Sequence, residues 1–495
     1  MGVRVSRWTL TYFAAALTCF VLAQAAVVLG WAHPARPVSA PSTLAVVHLI
    51  TIGWLTLLIL GALQQFVPVI TGHSLAGDRA AGTALVLILG GLAGMVAGFL
   101  SLPGGPARIA LPLGGAAVTA GVMVAAGHLA RGLWRARPLV LPGRFAAAGL
   151  SFLLLAVVVG LSMAVLLAWP ERAAGLGRPG LAAGLLSTGL ALHLAAGIGG
   201  WFTLTAMGVA YKLLSIFTLA PEERGATGRW VLRLSAGGLG AVWLAGFLRL
   251  AALPAAGAGG TEDALARVLA LAGTAGWAAA GAGVLLYLAD MVLLYRSRRR
   301  PALELNARYA PWALAALGTG VMLLALAAAA GRLAAWAGPI AFLWLFGWLS
   351  GLGLTQLYKL VPFLTWLERF GPRLGRGPVV RVQDLVDERR ARPWFLLYFA
   401  ATAAATGAGL AGWPAAWRAS VAGTLAATLV IARELWRARH AHDRPRPLPG
   451  DPPAPPARPA GGGTGPQRPG AGGQAGAQGP GPAAPVAREG GEGRG

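Results

Sequence analysis

Three tryptophans, Trp54, Trp201 and Trp348, recur in the chain at a fixed spacing of 147 residues. Each follows a glycine and opens a similar segment: GWLTLLILGALQQFVPVITG, GWFTLTAMGVAYKLLSIFTL and GWLSGLGLTQLYKLVPFLTW. Polar positions keep the same register, namely Thr56, Thr203 and Ser350, then Gln64, Tyr211 and Tyr358, then Gln65, Lys212 and Lys359. A fixed period constrains the architecture. This period is too long for a solenoid unit, so it predicts three copies of a unit made of a few long helices.

The composition indicates that these helices cross a membrane. Hydrophobic residues make up 56% of the chain, and the mean hydropathy is +0.64. About 20 apolar residues suffice to cross a bilayer as a helix. Runs of this kind lie at roughly 8–31, 43–71, 80–101, 108–134, 145–169, 181–218, 230–252, 264–295, 309–330, 333–365, 394–412 and 415–437. The sequence predicts an all-α integral membrane protein with twelve transmembrane helices in three pseudo-repeated four-helix arcs, roughly 8–137, 145–300 and 309–439.

Arginine clusters orient the predicted helices. The loops after spans 2, 4, 6, 8 and 10 are rich in arginine, for example Arg131–Arg144 and Arg296–Arg308, whereas the opposite loops hold one or two each. By the positive-inside rule, we expect both termini on the cytoplasmic side of the cell membrane. The net charge of +24 therefore belongs mostly to a collar at the membrane surface. Because these arginines flank spans instead of lining a soluble face, the lipid bilayer is the expected partner and nucleic acid is not.

The chain divides into a membrane domain, 1–440, and a tail, 441–495. The tail consists mainly of Pro, Gly, Ala and Arg, which bury too little apolar surface to offset the entropy of ordering. It is predicted to be a disordered cytoplasmic segment. The chain has one cysteine, Cys19, inside the first span, so the sequence indicates neither a disulfide framework nor a thiolate metal site.

Few polar residues lie within the spans, and such residues are costly in hydrocarbon and therefore candidates for function. Lys212 and Lys359 lie in the cytoplasmic third of spans 6 and 10, next to Tyr211 and Tyr358. Two interpretations stay open for the lysines: they extend to the lipid headgroups, or they line an interior polar path with the two tyrosines. For Asp290, near the cytoplasmic end of span 8, a structural ion pair is an equal alternative to a functional role.

Two of the seven histidines, His48 and His193, lie well inside spans, in the outer half of spans 2 and 6. His48 projects by the period onto Ala195, two residues after His193. Since two residues turn a helix by about 200°, the imidazoles leave opposite faces of equivalent helices. In a ring of repeats, such faces of neighbouring helices point into one shared space. Converging imidazoles predict a metal or haem site; the alternative is that each histidine bonds a neighbouring carbonyl or hydroxyl within the bundle.

The twelve spans in three arcs, with histidines on spans 2 and 6, resemble subunit I of the haem–copper oxidase superfamily (cytochrome c or quinol oxidase polypeptide I). The stretch HLITIGWLTLLILGALQQFVPVITG (48–72) is similar to that family's span 2. Its spacing of histidine to Gly53, Gly61 and Pro68 is closer to the NnrS-like haem- and copper-containing membrane proteins. The resemblance implies haem or copper as cofactor, with His48 and His193 as ligands. It also implies a role in respiratory electron transfer or in nitric-oxide, oxygen or metal handling, and as partners other respiratory or cofactor-supply membrane proteins.

The chain departs from the oxidase pattern at several positions. Span 7 contains no histidine, and Ile340 and Phe342 stand at the positions projected for the span 10 histidines. We therefore expect no complete binuclear centre and no oxygen reductase activity. Two classes of function remain: a haem- or copper-binding membrane protein, and a multi-span transporter or cofactor-free membrane scaffold.

Overall fold

The structure is a computed structural model that describes residues 7–75, 78–171, 179–221, 225–252, 261–374 and 379–440. These residues form helices joined by short turns, and no strand occurs among them. Backbone polar groups in hydrocarbon have no water to bond, so a helix, which pairs them internally, is the structure expected of these apolar runs. The predicted tail, 441–495, lies outside the described residues.

Twelve helices within the described ranges are long and apolar enough to cross a membrane, which confirms the predicted count. Nine are single elements: α1 Arg7–Val28, α3 Asp78–Leu100, α4 Ala110–Arg135, α5 Leu141–Ala168, α7 Gly225–Ala252, α8 Thr261–Arg296, α9 Leu305–Ala329, α11 Glu388–Ala411 and α12 Pro414–Arg439. The other three contain a wider π-helical segment. They are α2 (Pro41–His48, Leu49–Thr56, Leu57–Thr71), α6 (Pro179–Leu194, Ala195–Leu204, Thr205–Thr218) and α10 (Leu333–Phe342, Leu343–Ser350, Gly351–Arg369). Short 3₁₀ helices lie at Pro106–Ile109, Gly371–Arg373 and Val382–Leu385.

The three π-helical segments fall at the same place in the sequence period. Leu49–Thr56 and Leu343–Ser350 coincide after two periods, and Ala195–Leu204 covers the equivalent stretch between them. π-helix is rare and occurs mostly as single turns, frequently at functional sites. Its recurrence on α2, α6 and α10 shows that the repeated sequence folds into a repeated local structure.

Glycines at one position of the period let these helices approach their neighbours closely. Gly53, Gly200 and Gly347 immediately precede the three tryptophans and abut side chains of α1, α5 and α9, respectively. A Cβ atom at Gly53 would lie 2.7 Å from Cys19 Cβ, and one at Gly347 would lie 2.8 Å from Ala316 Cβ. Close approach at small residues is the usual basis of helix packing in membranes. Each glycine therefore packs its helix on the helix that precedes it.

The three repeated tryptophans are fully buried. Hydrogen bonds donated by tryptophan side chains join the three helices α2, α6 and α10. Trp54 Nε1 donates to Ser350 Oγ at 2.8 Å, from α2 to α10. Trp201 Nε1 donates to Thr56 Oγ1 at 3.1 Å, from α6 to α2. The third link, from α10 to α6, is made by Trp344 Nε1, which donates to Thr203 Oγ1 at 2.9 Å. We call these three bonds the indole–hydroxyl ring.

Contacts between the first and last helices bring the two ends of the membrane domain together. α1 packs against α12, and buried Gln24 Nε2 donates to Thr428 Oγ1 at 3.1 Å. At one end of the same pair, Arg418 donates two hydrogen bonds to the carbonyl oxygen of Val28, at 2.8 and 3.2 Å. That all three arcs superpose as complete four-helix units stays a prediction.

The indole–hydroxyl ring predicts a stability effect that is specific to its hydroxyl groups. Replacing Thr56 by Val or Ser350 by Ala leaves a buried indole N–H without its acceptor, which should destabilise the protein by about 1 kcal/mol. The measurement is thermal unfolding of the purified protein in detergent. Thr119→Val is the control, because the Thr119 hydroxyl donates to Gly115 O of its own helix and to no other group in the described part of the chain. Equal losses in the ring variants and the control would contradict a joining role for the ring.

Candidate functional site

His48 and His193 lie where α2 and α6 change from α- to π-helix. The π-helical segment of α2 begins at Leu49, directly after His48, and that of α6 begins at Ala195, two residues after His193. A π-helical turn contains an extra residue, so it rotates the side chains that follow relative to those that precede it. The imidazoles therefore point into the space between α2 and α6. Trp54 and Trp201, further along the same helices, point instead into the indole–hydroxyl ring.

The two imidazoles come together between α2 and α6. Their ring centres are 6.4 Å apart, and the ring planes differ by 26°. Both side chains are half-buried. The structure therefore brings the two imidazoles together, as the sequence register predicts.

Each imidazole is held through the same nitrogen by a backbone carbonyl. His48 Nδ1 lies 2.8 Å from Leu44 O in its own helix. His193 Nδ1 lies 2.9 Å from Ala156 O in α5. When Nδ1 donates to a carbonyl, Nε2 of a neutral imidazole carries a lone pair. Each histidine therefore bonds a backbone carbonyl through Nδ1, and Nε2 of each ring makes no hydrogen bond among the described residues.

Small and aromatic residues shape the space around the pair. The Phe99 ring of α3 lies 4.8 Å from the His48 ring, centre to centre. Gly160 of α5 lies against the His193 imidazole, and a Cβ atom at Gly160 would be 2.9 Å from His193 Cε1. One turn after His193, a Cβ atom at Gly197 would meet no atom within 4 Å, so open space lies beside the helix there.

The ring separation fits a metal ion bound between the two imidazoles. Two metal–nitrogen bonds of roughly 2 Å each, with each ring centre about 1 Å beyond its nitrogen, give about 6 Å between ring centres. The observed 6.4 Å agrees with that separation. The Nδ1–carbonyl bonds are the outer-shell contacts that ligating histidines usually make.

No group of three or more His, Cys, Asp or Glu side chains able to hold a metal occurs in the described part of the chain. A metal at this position would thus have two protein ligands. Two imidazoles suit the two faces of a haem iron or a low-coordinate copper ion better than a closed tetrahedral zinc site, which takes four ligands.

Both tyrosines and Lys359 of the predicted polar path lie in polar clusters. Tyr211 OH donates to Asp290 Oδ2 at 2.9 Å, and the Asp290 side chain is 2% exposed. Lys359 Nζ lies 2.7 Å from Glu304 Oε2. Lys359 is thus paired with the acidic side chain that precedes α9, and the two interpretations of the lysines stay open. Lys212 follows Tyr211 on α6 and likewise has an interaction partner.

Sequence reasoning missed the residues that complete these clusters. Glu304 and Asn306 at the start of α9, Gln356 of α10 and Glu388 at the start of α11 meet near Tyr358 and Lys359. The sequence repeat could have revealed one of these residues, because Gln356 lies two residues before Tyr358 in the repeated segment. Glu304 and Glu388 stand just before or at the start of predicted spans, where a carboxylate is ordinarily read as a helix-end residue.

His33, in the turn between α1 and α2, is not part of the histidine pair. Its Nδ1 accepts a hydrogen bond from Ala35 N at 3.1 Å, and its ring meets the edge of Trp417 at 5.0 Å. Partial burial, with the nearby Arg36 charge, lowers the pKa of His33. His33 is therefore neutral at physiological pH and packs as an aromatic side chain.

No protein-family model matches the chain, and no curated protein matches it. The family resemblance therefore rests on the residues and the helix arrangement alone.

The contact between Gly160 and His193 generates a specific prediction. Gly160→Ala should destabilise the protein by about 1–3 kcal/mol, because its Cβ would overlap the imidazole. In a His193→Ala background the overlap is gone, so the same substitution should be neutral. The measurement is a double-mutant cycle by denaturant or thermal unfolding, with Gly127→Ala, whose Cβ meets no atom within 4 Å, as control. An equal penalty in both backgrounds would rule out the contact.

Proposed function

We propose that this protein binds one haem or one copper ion between His48 and His193 and passes electrons within the membrane. The observation that carries the proposal is the pair of imidazoles, 6.4 Å apart, each anchored at Nδ1 by a backbone carbonyl. Haem iron and copper ions supply one-electron redox chemistry when held by imidazole nitrogens.

The roles of the protein groups follow from their contacts. Leu44 O and Ala156 O fix each ring and its tautomer, so that Nε2 of each ring carries the coordinating lone pair. The Phe99 ring covers His48 on the α3 side and limits the access of water. A low-dielectric surrounding of this kind tunes the redox potential of a bound metal.

The same proposal includes a divergent relationship to subunit I of the haem–copper oxidases. Twelve long apolar helices and the placement of the histidines on α2 and α6 support it. Neither α7 nor α10 contains a histidine in its described residues. We therefore expect electron transfer, or nitric-oxide, oxygen or metal handling, without oxygen reductase activity. The expected partners are other respiratory or cofactor-supply membrane proteins.

A spectrum of the purified protein tests the proposal and identifies the cofactor. Sharp bands in a reduced-minus-oxidised spectrum indicate haem, and one copper per chain by elemental analysis, without those bands, indicates copper. His48→Ala and His193→Ala should each abolish retention of that cofactor while leaving the unfolding transition in place. His73→Ala is the control, because His73 is exposed and its hydrogen bonds within the described residues are to Thr71, two residues earlier. A wild-type protein that retains neither haem nor copper would favour the transporter or scaffold class.

We also propose that the protein lies in the cell membrane with its arginine-rich ends in the cytoplasm. Exposed tryptophans support two interfacial belts, one near the arginine-rich ends (Trp134, Trp230 and Trp436) and one at the opposite ends (Trp31 and Trp413). Tryptophan is enriched at both membrane–water interfaces.

This orientation predicts on which side of the membrane each loop lies. Single cysteines placed in the α4–α5 turn (136–140) and in the α11–α12 turn (412–413) should differ in labelling by an impermeant thiol reagent on intact cells. A cysteine in the α11–α12 turn should be labelled, and one near the α4–α5 turn should be labelled only after permeabilisation. Cys19 is buried, so it contributes no background. The reverse pattern would overturn the orientation.

A further inference from the structure

The turn between α4 and α5 holds a cluster of positive charge at the ends of two membrane-spanning helices. Its arginines have exposed side chains and follow one another closely in the chain: Arg131, Arg135, Arg137 and Arg144. No acidic residue occurs in the sequence from Arg79 to Pro170, and Asp78 directly precedes Arg79, so the neighbouring turn brings no net negative charge. None of the clustered arginines forms an ion pair in the described part of the structure. The described side chains therefore leave the charge of this turn unneutralised.

Aromatic and apolar side chains place this cluster at the level of the lipid headgroups. Trp134 and Val140 are exposed beside the arginines, and tryptophan concentrates at membrane–water interfaces. Arg137 stacks on the Trp134 indole, with Cζ 3.7 Å from the ring centre. Arg144 Nε donates to Leu139 O at 2.9 Å, which holds a second guanidinium beside the turn. Two of the positive charges are thus held where the phosphates of a bilayer lie.

A nearly identical segment at the end of α12 shows the same arginines with acidic partners. ARGLWRAR (130–137) and ARELWRAR (432–439) differ only in that Gly132 of the first corresponds to Glu434 of the second. Glu434 Oε1 accepts a hydrogen bond from Arg437 Nη1 at 2.7 Å. The copy on α12 thus pairs one of its arginines within its own helix, whereas the sequence of the copy on α4 contains no carboxylate.

A second carboxylate of the third repeat also has no counterpart in the first. Arg439 Nη1 lies 2.5 Å from Glu368 Oε2, at the end of α10. Two periods of 147 residues earlier, the residue at the position of Glu368 is Ser74. Arg137, which corresponds to Arg439, therefore meets the indole of Trp134 and no carboxylate among the described residues.

Membrane insertion does not account for this difference between the two copies. The positive-inside rule counts lysines and arginines, and acidic residues contribute little to it. Both copies therefore serve orientation equally, whereas the copy on α4 keeps all of its guanidinium groups available to an anion from outside the protein. Arginine binds phosphate through charge-assisted, frequently bidentate hydrogen bonds.

We propose that the α4–α5 turn binds the headgroup phosphate of an anionic phospholipid through Arg131, Arg135 and Arg137. The acyl chains of the lipid lie along the membrane-facing side of α4. That side includes the exposed Met123, which lies about three turns before Trp134 on the same helix face. A zwitterionic phosphatidylcholine fits less well, because its choline group brings a cation next to the guanidinium groups.

Native mass spectrometry of the purified full-length protein in an uncharged detergent tests the proposal by counting bound lipid. Phosphatidylglycerol should bind at least about tenfold more tightly than phosphatidylcholine with the same acyl chains. Inorganic phosphate in excess should not displace phosphatidylglycerol, because it lacks the acyl chains that contact α4.

The two similar segments provide matched variants. Replacing Arg131, Arg135 and Arg137 together by Gln should weaken phosphatidylglycerol binding by about tenfold or more. The control replaces Arg433, Arg437 and Arg439 together by Gln, which removes the same charge from the copy on α12. This control should bind phosphatidylglycerol within about twofold of the wild-type protein.

Three results would overturn the proposal. Equal losses in the two triple variants would indicate attraction to the net charge of the whole arginine-rich end. Equal binding of phosphatidylglycerol and phosphatidylcholine would show that headgroup charge is not recognised, and displacement by inorganic phosphate would indicate a site for a soluble anion. If the triple variant on α4 lacks a cooperative unfolding transition, the single variants decide: Arg137→Gln must weaken phosphatidylglycerol binding and Arg439→Gln must not.

Discussion

Hydrogen bonds between buried indoles and hydroxyls join the three repeated helices of this protein across the centre of the membrane domain. Hydrocarbon offers no partner for an indole N–H, so each such group must find an acceptor within the protein. Trp54 and Trp201 bond the hydroxyl two residues after the tryptophan of a different repeat, Ser350 and Thr56. In the third link Trp344 takes the hydroxyl of Thr203, and Trp348 Nε1 has no partner in the described structure. The ring therefore holds three helices together while departing from symmetry at one position.

The π-helical segments connect this ring with the histidine pair. The hydroxyls of Thr203 and Ser350 donate to carbonyls five residues earlier, Ile198 O at 2.8 Å and Leu345 O at 2.6 Å. A spacing of five is that of a π-helical turn. The same segments begin one residue after His48 and two residues after His193, so one local structure sets the direction of both the hydroxyls and the imidazoles. The third repeat has Phe342 in place of a histidine, and its ring stacks on Phe346 at 4.3 Å. Two repeats thus carry the proposed metal ligands, and the third fills the equivalent position with aromatic core.

Much of this architecture could be predicted from the sequence, because hydropathy and period both act over many residues. Twelve apolar runs gave twelve helices, and a shared register with a two-residue offset was sufficient to predict that His48 and His193 converge. The π-helical segments could not be predicted, since they contain the same apolar residues as the α-helices around them. A carbonyl or hydroxyl partner for each histidine was foreseen, but the identity of the His193 partner, Ala156 O, was not, because it depends on Gly160 letting α5 approach the imidazole. Nor did spacing reveal the cluster of Glu304, Asn306 and Glu388, which comes from the starts of two helices, α9 and α11, that are far apart in the chain.

X-ray absorption at the metal edge of the purified, full-length protein tests whether the histidine pair binds a metal ion. We expect a bound iron or copper with two imidazole nitrogens at about 2 Å, and with one imidazole fewer or no metal in His193→Ala. A metal coordinated without imidazole, or an unchanged imidazole count in His193→Ala, would contradict the assignment of this histidine pair as the metal site.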